Sequence, residues 1–248
     1  MRRRYFCGAF VGVIATAVVL SAALGSSTTT SRAAAHLRHG RDHRITNSTS
    51  SNWSGYAVTG SRFTSVSASW KQPTATCTGS TAYSSFWVGL DGDTSNTVEQ
   101  TGTDADCSGS TPQYYAWYEM YPKFPVNLRG TVKPGDTLTA SVTTDGRGNF
   151  TLTISDTTQG WSNTTRAKLK SAKLASAEVI AEAPSSSGGV LPLANFGTVN
   201  FTAAKANGNL LTSSTLNIDP ITMQSGSTVK AQPSGISSGA FSDTWKHS

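Results

Sequence analysis

The segment at residues 138–154 decides the class of fold, and it reads LTASVTTDGRGNFTLTI. Apolar residues occupy alternate positions on both sides of the Asp145-Gly146 turn signal: Leu138, Ala140, Val142, Phe150, Leu152 and Ile154. A period of two is typical of a β-strand with one buried face, because successive side chains point to opposite sides. The segment therefore predicts a β-hairpin.

The same alternation recurs outward from the hairpin, from Asn52 onward. Further alternating apolar positions lie before and after it: Val66, Ala68, Trp70, Val199 and Phe201. Clusters of Gly, Pro, Asn and Asp separate these short runs, as turns do in all-β proteins. A chain of 248 residues with this pattern and no internal repeat predicts a single all-β domain.

Composition and charge exclude several classes of protein. Only 14% of the residues are charged, which excludes a coiled coil. The formal net charge of +6 lies entirely in residues 1–44, where seven basic residues stand against Asp42. Residues 45–248 hold 13 basic and 13 acidic residues, so they offer no basic surface for nucleic acid, and we expect no nucleic-acid partner.

The first 25 residues have the pattern of a secretory signal peptide. Arg2 to Arg4 form a positive start, and an apolar run from Phe6 to Leu24 follows, ending in small residues. The alternative is a transmembrane anchor, because the run is almost long enough to span a bilayer. We expect cleavage, a secreted and extracellular protein, and no membrane association after the signal is removed.

Residues 26–46 are basic and rich in Ser, Thr and His, without an apolar period, and this predicts a pro-segment or linker. We expect disorder there, with His36, His39 and His43 solvated rather than bound to metal. The β-sandwich domain is then expected over residues 47–248.

Two cysteines remain once Cys7 leaves with the signal, namely Cys77 and Cys107. In an oxidising compartment we expect them to form a disulfide, with two free thiols as the alternative. Closing a loop of about 30 residues is worth about 3 to 4 kcal/mol in the chain-entropy model.

Histidine is absent from residues 44–246 of the sequence. This removes the usual general base for a Ser or Cys nucleophile and the commonest zinc ligand. Residues 235–239 match the sequence pattern of a nucleophile elbow, but the expected strand-turn-helix context is missing. Only His247 could act as the general base for its serine. No CxxC pair and no Gly-rich phosphate loop before a helix occurs. We therefore expect no metal and no cofactor.

Carboxylates set among aromatic residues are the remaining candidates for chemistry. In the predicted strand at residues 114–121, the period of two places Tyr115, Trp117, Glu119 and Tyr121 on one face. Desolvation in such a row raises the pKa of a carboxyl group toward values useful in acid-base catalysis. The alternative is an ordinary strand whose Glu119 points to solvent.

A second strand is predicted at residues 177–183. Its small apolar residues share one face, and Glu178, Ile180 and Glu182 share the other. Because two carboxylates share this face, we consider at least one of them a candidate functional residue.

Six short blocks, in order along the chain, carry a resemblance to a known family. They are Asn52-Trp53-Ser54-Gly55, Trp87 to Asp93, Gln100-Thr101-Gly102, Ala116-Trp117-Tyr118-Glu119 with Tyr121-Pro122, Ala177-Glu178 with Glu182, and Leu191-Pro192 with Phe196. Together they resemble the glutamic peptidase (eqolisin) family of secreted acid endopeptidases. They span nearly all of the chain after residue 46.

The resemblance implies a two-sheet antiparallel β-sandwich, a jelly roll of the concanavalin A-like kind, with a substrate cleft on one sheet. It places a catalytic pair on Gln100 and Glu182. The positions that match cleft residues of the family, where we expect substrate binding, are Trp53, Trp87, Asp91 and Glu119. It also implies polypeptide substrates and activity at acid pH, and we expect a monomer.

The implied chemistry is consistent with the residue types. A carboxylate such as Glu182 can take a proton from an attacking water and return it to the leaving nitrogen. The carboxamide of Gln100 can donate N–H groups to the oxyanion. Two alternatives remain: a jelly-roll glycoside hydrolase that uses Glu119 and Glu182, and a non-catalytic carbohydrate-binding module.

Overall fold

The structure is a computed structural model, and it describes residues 37–39, 48–215 and 217–248. The predicted signal peptide, residues 1–25, lies outside the described residues, as does most of the predicted pro-segment. The described part of the chain contains eighteen strands and no helix. Accordingly, none of its segments is a helix of the length and apolarity that a membrane span requires.

The strands follow one another along the chain with these bounds: β1 (Thr49–Ser50), β2 (Trp53–Val58), β3 (Ser65–Lys71), β4 (Ser85–Leu90), β5 (Val98–Ser108), β6 (Thr111–Tyr121), β7 (Val126–Asn127), β8 (Thr137–Thr144), β9 (Asn149–Asp156), β10 (Trp161–Lys168), β11 (Ala177–Glu182), β12 (Ser185–Ser186), β13 (Gly189–Val190), β14 (Thr198–Ala206), β15 (Asn209–Leu210), β16 (Ile218–Ser225), β17 (Thr228–Pro233) and β18 (Phe241–Trp245).

Two sheets pack face to face, and strand β16 belongs to both. The first sheet runs β10-β9-β8-β3-β14-β18-β17-β16, and the second runs β16-β2-β11-β4-β5-β6-β7. Residues 218–221 of β16 pair with β2, whereas residues 223–225 pair with β17, so the strand passes from one sheet to the other. The pairing is antiparallel along the whole path, which confirms the predicted antiparallel β-sandwich.

The predicted hairpin around Asp145-Gly146 is confirmed as β8 and β9. Val142 pairs with Leu152, and Ala140 pairs with Ile154. The Asp145 carboxylate closes the turn by accepting the backbone N–H of Arg147 at 2.7 Å. Short Asp side chains favour this local bond, and this is why Asp-Gly is a strong turn signal.

The main core lies between the sheets, and it contains the alternating apolar residues that the sequence singled out. All of the following are buried in it: Val66, Ala68, Trp70, Leu138, Ala140, Val142, Phe150, Leu152, Ile154, Val199 and Phe201. Ala177, Val179, Ala181 and Ala183 of the second predicted strand face the same core.

The predicted disulfide is also present and joins Cys77 to Cys107 at the end of β5, with an S–S distance of 2.00 Å.

A second buried cluster lies on the opposite face of the second sheet. Its members are Trp53, Ala57, Trp87, Val98, Trp117, Ile180 and Ile221, with Tyr115 and Tyr121 packed against them. We call this surface of β2, β11, β4, β5 and β6 the site face. The polar candidates lie on this same face, between these apolar residues along the strands. The site face therefore positions the candidate functional groups.

Candidate active site

Strand register brings the predicted catalytic residues to one face. Gln100 pairs directly with Glu119 between β5 and β6, and Glu182 pairs with Trp53 between β11 and β2. Strand β4 lies between β11 and β5 and contributes Trp87 to the same face. All five side chains are fully buried. The predicted strand is thus present, and its register agrees with the prediction that Tyr115, Trp117, Glu119 and Tyr121 share one face.

Glu182 is the last residue of β11, and two donors hold its carboxylate. The Trp87 indole N–H donates to Oε2 at 2.7 Å, and the Asn52 amide donates to Oε1 at 3.1 Å. Asn52 is itself fixed, because its backbone N–H donates to the Ser50 hydroxyl at 3.3 Å. Hydrogen bonds to a charged carboxylate are stronger than neutral ones, so both oxygens of Glu182 have a set orientation.

Gln100 is oriented by its cross-strand neighbour. Its amide Nε2 donates to Oε2 of Glu119 at 3.0 Å. Its Oε1 has no hydrogen-bond partner among the described residues, although it is buried. A buried polar atom without a partner carries a desolvation penalty, and a catalytic or binding role is one reason for keeping it.

Glu119 lies on β6, on the far side of Gln100 from Glu182 in the strand order. Burial raises the pKa of the Glu119 carboxyl well above its usual range, and the charge of Glu182 raises it further. The backbone N–H of His39 and the amide of Gln100 oppose this shift by donating to the carboxylate. The alternative in which Glu119 points to solvent is therefore wrong, since its side chain is fully buried.

The Gln100-Thr101-Gly102 block has a packing reason. A Cβ atom at Gly102 would lie 2.6 Å from the Cβ of Trp87 and 2.2 Å from the carbonyl oxygen of Phe86. No side chain fits such distances. Gly102 therefore lets the chain of β4 at Phe86 and Trp87 lie close against β5.

The predicted cleft residues have different surroundings. The Trp53 ring packs edge-on against Trp87, with centroids 4.9 Å apart. Asp91, by contrast, follows β4 and accepts the backbone N–H groups of residues 173–175 at 2.7 to 2.8 Å. Its carboxylate anchors that connection to the sheet. We conclude that the structure places Asp91 in a loop-holding position beside Glu99, whose pKa is raised to about 9 by burial and by the Asp91 charge.

Three residues of the site were not identified from the sequence: Asn52, Asp104 and His39. Asp104 accepts the Trp117 indole N–H at 2.5 Å. A period of two from Gln100 through Gly102 to Asp104 could have identified Asp104 as a residue of the site face. Asn52 belongs to the first of the six sequence blocks, but no role was assigned to it.

The expectation that His39 is solvated is wrong, because only 1% of its surface is exposed. Its imidazole stacks on Trp117 with centroids 3.8 Å apart and planes 6° from parallel. Its backbone N–H donates to Glu119 Oε2 at 3.1 Å. The preceding residue, Arg38, pairs with Ser185 through two backbone hydrogen bonds of 2.8 and 2.9 Å. No periodicity in a polar segment could have indicated these contacts.

Fold and site together define an all-β sandwich protein with a buried carboxylate and carboxamide on one sheet face. Among the described residues, no three His, Cys, Asp or Glu side chains converge in a way that could hold a metal ion. The Peptidase A4 family pattern matches residues 51–244, and the chain belongs to this family. The resemblance inferred from the six sequence blocks is thereby confirmed.

Two curated relatives are similar over part of their length. Scytalidopepsin B from Scytalidium lignicola is 40% identical over 112 residues, which cover 44% of this chain and 42% of that protein. Aspergillopepsin-2 from Aspergillus niger is 31% identical over 181 residues, which cover 63% of this chain and 64% of that protein. The chain thus matches less than two thirds of the length of these relatives.

Solved structures are similar over more of their length. Scytalido-glutamic peptidase with a transition state analog inhibitor superposes with a TM-score of 0.70 at 29% identity, over 79% of this chain and 98% of that one. Aspergilloglutamic peptidase from Aspergillus niger has a TM-score of 0.60 at 27% identity, over 66% of this chain and 99% of that one.

Proposed function

We propose that the protein is a secreted endopeptidase that cleaves polypeptides by direct attack of water, with Glu182 as the proton carrier and Gln100 as the oxyanion donor. The observation that carries this proposal is the fixed pair on one buried sheet face. Trp87 and Asn52 hold both oxygens of Glu182, and Glu119 holds the amide of Gln100.

The roles follow from the chemistry of the two groups. The Glu182 carboxylate takes a proton from water as the water oxygen attacks the scissile carbonyl carbon. The resulting carboxylic acid then gives that proton to the leaving nitrogen, so the residue ends in its starting state. The Gln100 amide cannot accept a proton, but it can donate N–H to the oxygen on which negative charge develops.

Glu119 is a positioning residue in this proposal. A raised pKa keeps its carboxyl group neutral further up the pH scale than an ordinary glutamic acid. A neutral neighbour does not repel the Glu182 charge. Glu119 also holds the Gln100 amide in one orientation through their hydrogen bond. Without that bond, the Gln100 side chain would be free to change orientation between turnovers.

Properties of the solved neighbours support peptide substrates. Scytalido-glutamic peptidase was solved with a peptide-based transition state analog. A member of the eqolisin family, SCP-B, was solved in complex with the tripeptide Ala-Ile-His. The buried carboxyls Glu99, Glu178 and Asp106 favour a stable fold at acid pH, because burial raises their pKa values and an acid medium leaves them uncharged. A fold that is stable in acid is compatible with the proposed activity at acid pH.

The N-terminal organisation is part of the proposal. Residues 1–25 direct secretion, and residues 26–46 are a pro-segment that blocks the site until it is removed. The blocking role is supported by Arg38, which pairs with Ser185, and by His39, which donates to Glu119. A substrate peptide could not reach Glu119 while His39 lies there.

The proposed chemistry is tested with three variants against two substrates. We expect Glu182→Gln to abolish hydrolysis of an unfolded protein between pH 2 and pH 8, because the amide keeps the side-chain volume but accepts no proton. Gln100→Ala should lower turnover by about 10² to 10³, the usual loss for one oxyanion donor. Glu119→Gln should be milder, since its amide can still contact Gln100.

The alternatives predict other rankings in the same experiment. A glycoside hydrolase would lose polysaccharide cleavage equally in Glu119→Gln and Glu182→Gln, with little effect of Gln100→Ala. A carbohydrate-binding module would show no turnover of either substrate by the wild type. Thermal melting of each variant controls for loss of the fold, and a fully active Glu182→Gln protein would disprove the proposal.

A further inference from the structure

The imidazole of His39 occupies a pocket beside the proposed catalytic pair. Its ring lies flat on Trp117, and its Nε2 is 3.4 Å from Oδ2 of Asp104. Its other nitrogen, Nδ1, is 3.7 Å from Oε2 of Glu119. The ring thus has an aromatic platform beneath it and a carboxylate oxygen at each nitrogen.

The walls of the pocket are held by contacts that do not involve His39. Asp104 is fully buried, and the Trp117 indole N–H holds its Oδ1, which leaves Oδ2 for the ring. Asp106 lies two residues further along the same face of β5. Its oxygens are occupied by the Tyr115 hydroxyl at 2.8 Å and the Ser84 backbone N–H at 3.1 Å, so Asp104 is the carboxylate that meets the ligand.

These features select one kind of side chain. A planar ring gains contact area and, when protonated, a cation-π interaction on the Trp117 face. A protonated imidazole carries an N–H on both nitrogens. Its Nε2 side faces the Asp104 carboxylate at 3.4 Å, whereas Nδ1, 3.7 Å from Glu119, makes no hydrogen bond among the described residues. An aliphatic side chain offers neither donor, and a lysine offers no plane to stack.

The main chain of the segment is held in a way that any extended peptide could share. Arg38 pairs antiparallel with Ser185 of β12 through backbone groups alone. Such strand addition does not depend on the side chains of the bound peptide. The Arg38 side chain donates to the Pro122 carbonyl oxygen at 3.3 Å and lies 4.1 Å from the centre of the exposed Phe124 ring. The buried side chain of the segment, whose surroundings can select for chemistry, is that of His39.

We propose that Trp117 and Asp104 form a subsite that selects the imidazole of a histidine in bound peptides, with Asp104 as the specificity-determining residue. This inference rests on the proposed peptidase function. The strand register places the subsite next to the proposed catalytic pair, because Trp117 pairs with Gly102, two residues from both Gln100 and Asp104.

Cleavage specificity tests the subsite directly. The protein is incubated with a complex peptide mixture at acid pH, and the cut sites are aligned by mass spectrometry. We expect histidine to be enriched about 10-fold at one fixed position relative to the cut bond. Asp104→Asn should reduce that enrichment to about 2-fold or less, because the amide still accepts the Trp117 N–H but carries no charge.

The matched control is Asp243→Asn, which makes the same change at another fully buried carboxylate, on β18. We expect it to leave the histidine preference unchanged. Cleavage of the peptide mixture by the wild type without histidine enrichment would overturn the inference. So would an enrichment of arginine in its place, or an enrichment that survives Asp104→Asn.

A second measurement does not depend on turnover. In a Glu182→Gln background, hydrogen exchange at the backbone amides of Arg38 and Ser185 reports how tightly the segment is docked. His39→Gln should speed exchange at both amides about 10-fold. After Asp104→Asn, the same His39→Gln change should have less than a 3-fold effect.

The two measurements separate the two proposals. If the wild type cleaves no peptide while the exchange effects depend on Asp104, the proposed function is wrong and the pocket is correctly assigned. If His39→Gln has the same effect with and without Asp104→Asn, the pocket is wrongly assigned, whatever the activity.

Discussion

The two sheets of the sandwich use the same alternation of side chains for different purposes. In β8 and β9, apolar side chains face the core and the intervening Ser and Thr side chains face outward, as in the hydroxyl pair of Thr153 and Thr164. In β2, β4 and β11, every residue is buried. One face of these strands packs into the core, and the other is the site face.

The difference shows where a sandwich can hold chemistry. A carboxylate on the outer face of β9 would be solvated and would titrate like an ordinary glutamic acid. On the site face, the polar groups are buried among the Trp53, Trp87 and Trp117 side chains, so they interact in a low-dielectric environment. The first sheet mainly supplies stability, and the second sheet also carries the proposed catalytic pair.

The largest expected effect separates these two roles. Leu152→Ala in the core should lower the free energy of unfolding by about 2 to 5 kcal/mol, with kcat unchanged well below the melting temperature. Trp87→Phe should lower kcat about 10- to 100-fold, because it removes a hydrogen bond to a charged group worth about 1.5 to 3 kcal/mol. Melting curves and initial rates measure both, and an equal loss of activity in both variants would contradict the division.

The second prediction concerns pH and stability. Burial raises the pKa of Glu99 to about 9 and that of Asp243 to about 7, and it raises the pKa of Glu178 as well. The folded protein therefore binds more protons than the unfolded chain from about pH 4 to pH 9. The free energy of unfolding should be highest near pH 4 and should fall as the pH rises through this range.

Glu99→Gln makes this prediction specific. It should raise the melting temperature at pH 8 by roughly 2 to 6 °C and change it little at pH 4, because an amide needs no proton to stay buried. The control is Asp145→Asn in the exposed turn. Hydrogen bonds from Asn149 and Arg147 lower the pKa of Asp145, so its contribution is present at neutral pH and lost in acid. A melting temperature that rises steadily from pH 4 to pH 8 would contradict the prediction.

The third prediction tests the docked segment. His39→Ala should shorten the lag before the full chain reaches its maximal rate, and it should raise the initial rate several-fold, because stacking on Trp117 and contact with Glu119 are lost. His247→Ala is the matched control, since it removes the other described histidine at the far end of the chain. Progress curves at acid pH measure the lag, and identical curves for both variants would show that His39 does not block the site.

The smallest expected effect is on the outer face of the first sheet. Thr153→Ala should change the free energy of unfolding by no more than about 0.5 kcal/mol and leave the rate unaltered, because its hydroxyl pairs only with that of Thr164 in an exposed position. Chemical denaturation measures the change. A large loss would mean that the outer hydroxyl rows stabilise the sandwich more than solvent exposure suggests.

Much of the fold was predictable because its cause is local. The period of two in residues 138–154 and the Asp145-Gly146 turn determine the hairpin without reference to the rest of the chain. The Cys77–Cys107 disulfide followed from counting cysteines. Gln100, Glu119 and Glu182 were identified through sequence blocks, and strand register then brought their side chains to one face.

Asp91 shows what a sequence block cannot tell. It stands in a block that matches cleft positions, yet its carboxylate holds the backbone of residues 173–175. The sequence shows that this residue is an aspartate, but it does not show whether the carboxylate accepts backbone N–H groups or contacts a substrate.

By itself, the sequence determined the all-β class, the hairpin, the cysteine pair and the faces that its carboxylates share. Only the tertiary structure decided what covers the second face. Asp104 and Glu119 are 65 and 80 residues from His39 along the chain, yet both contact its ring or backbone. Alternation fixes which side chains point the same way, because that depends on one strand's geometry. What they meet depends on distant parts of the chain, and these are brought together only when the whole domain packs.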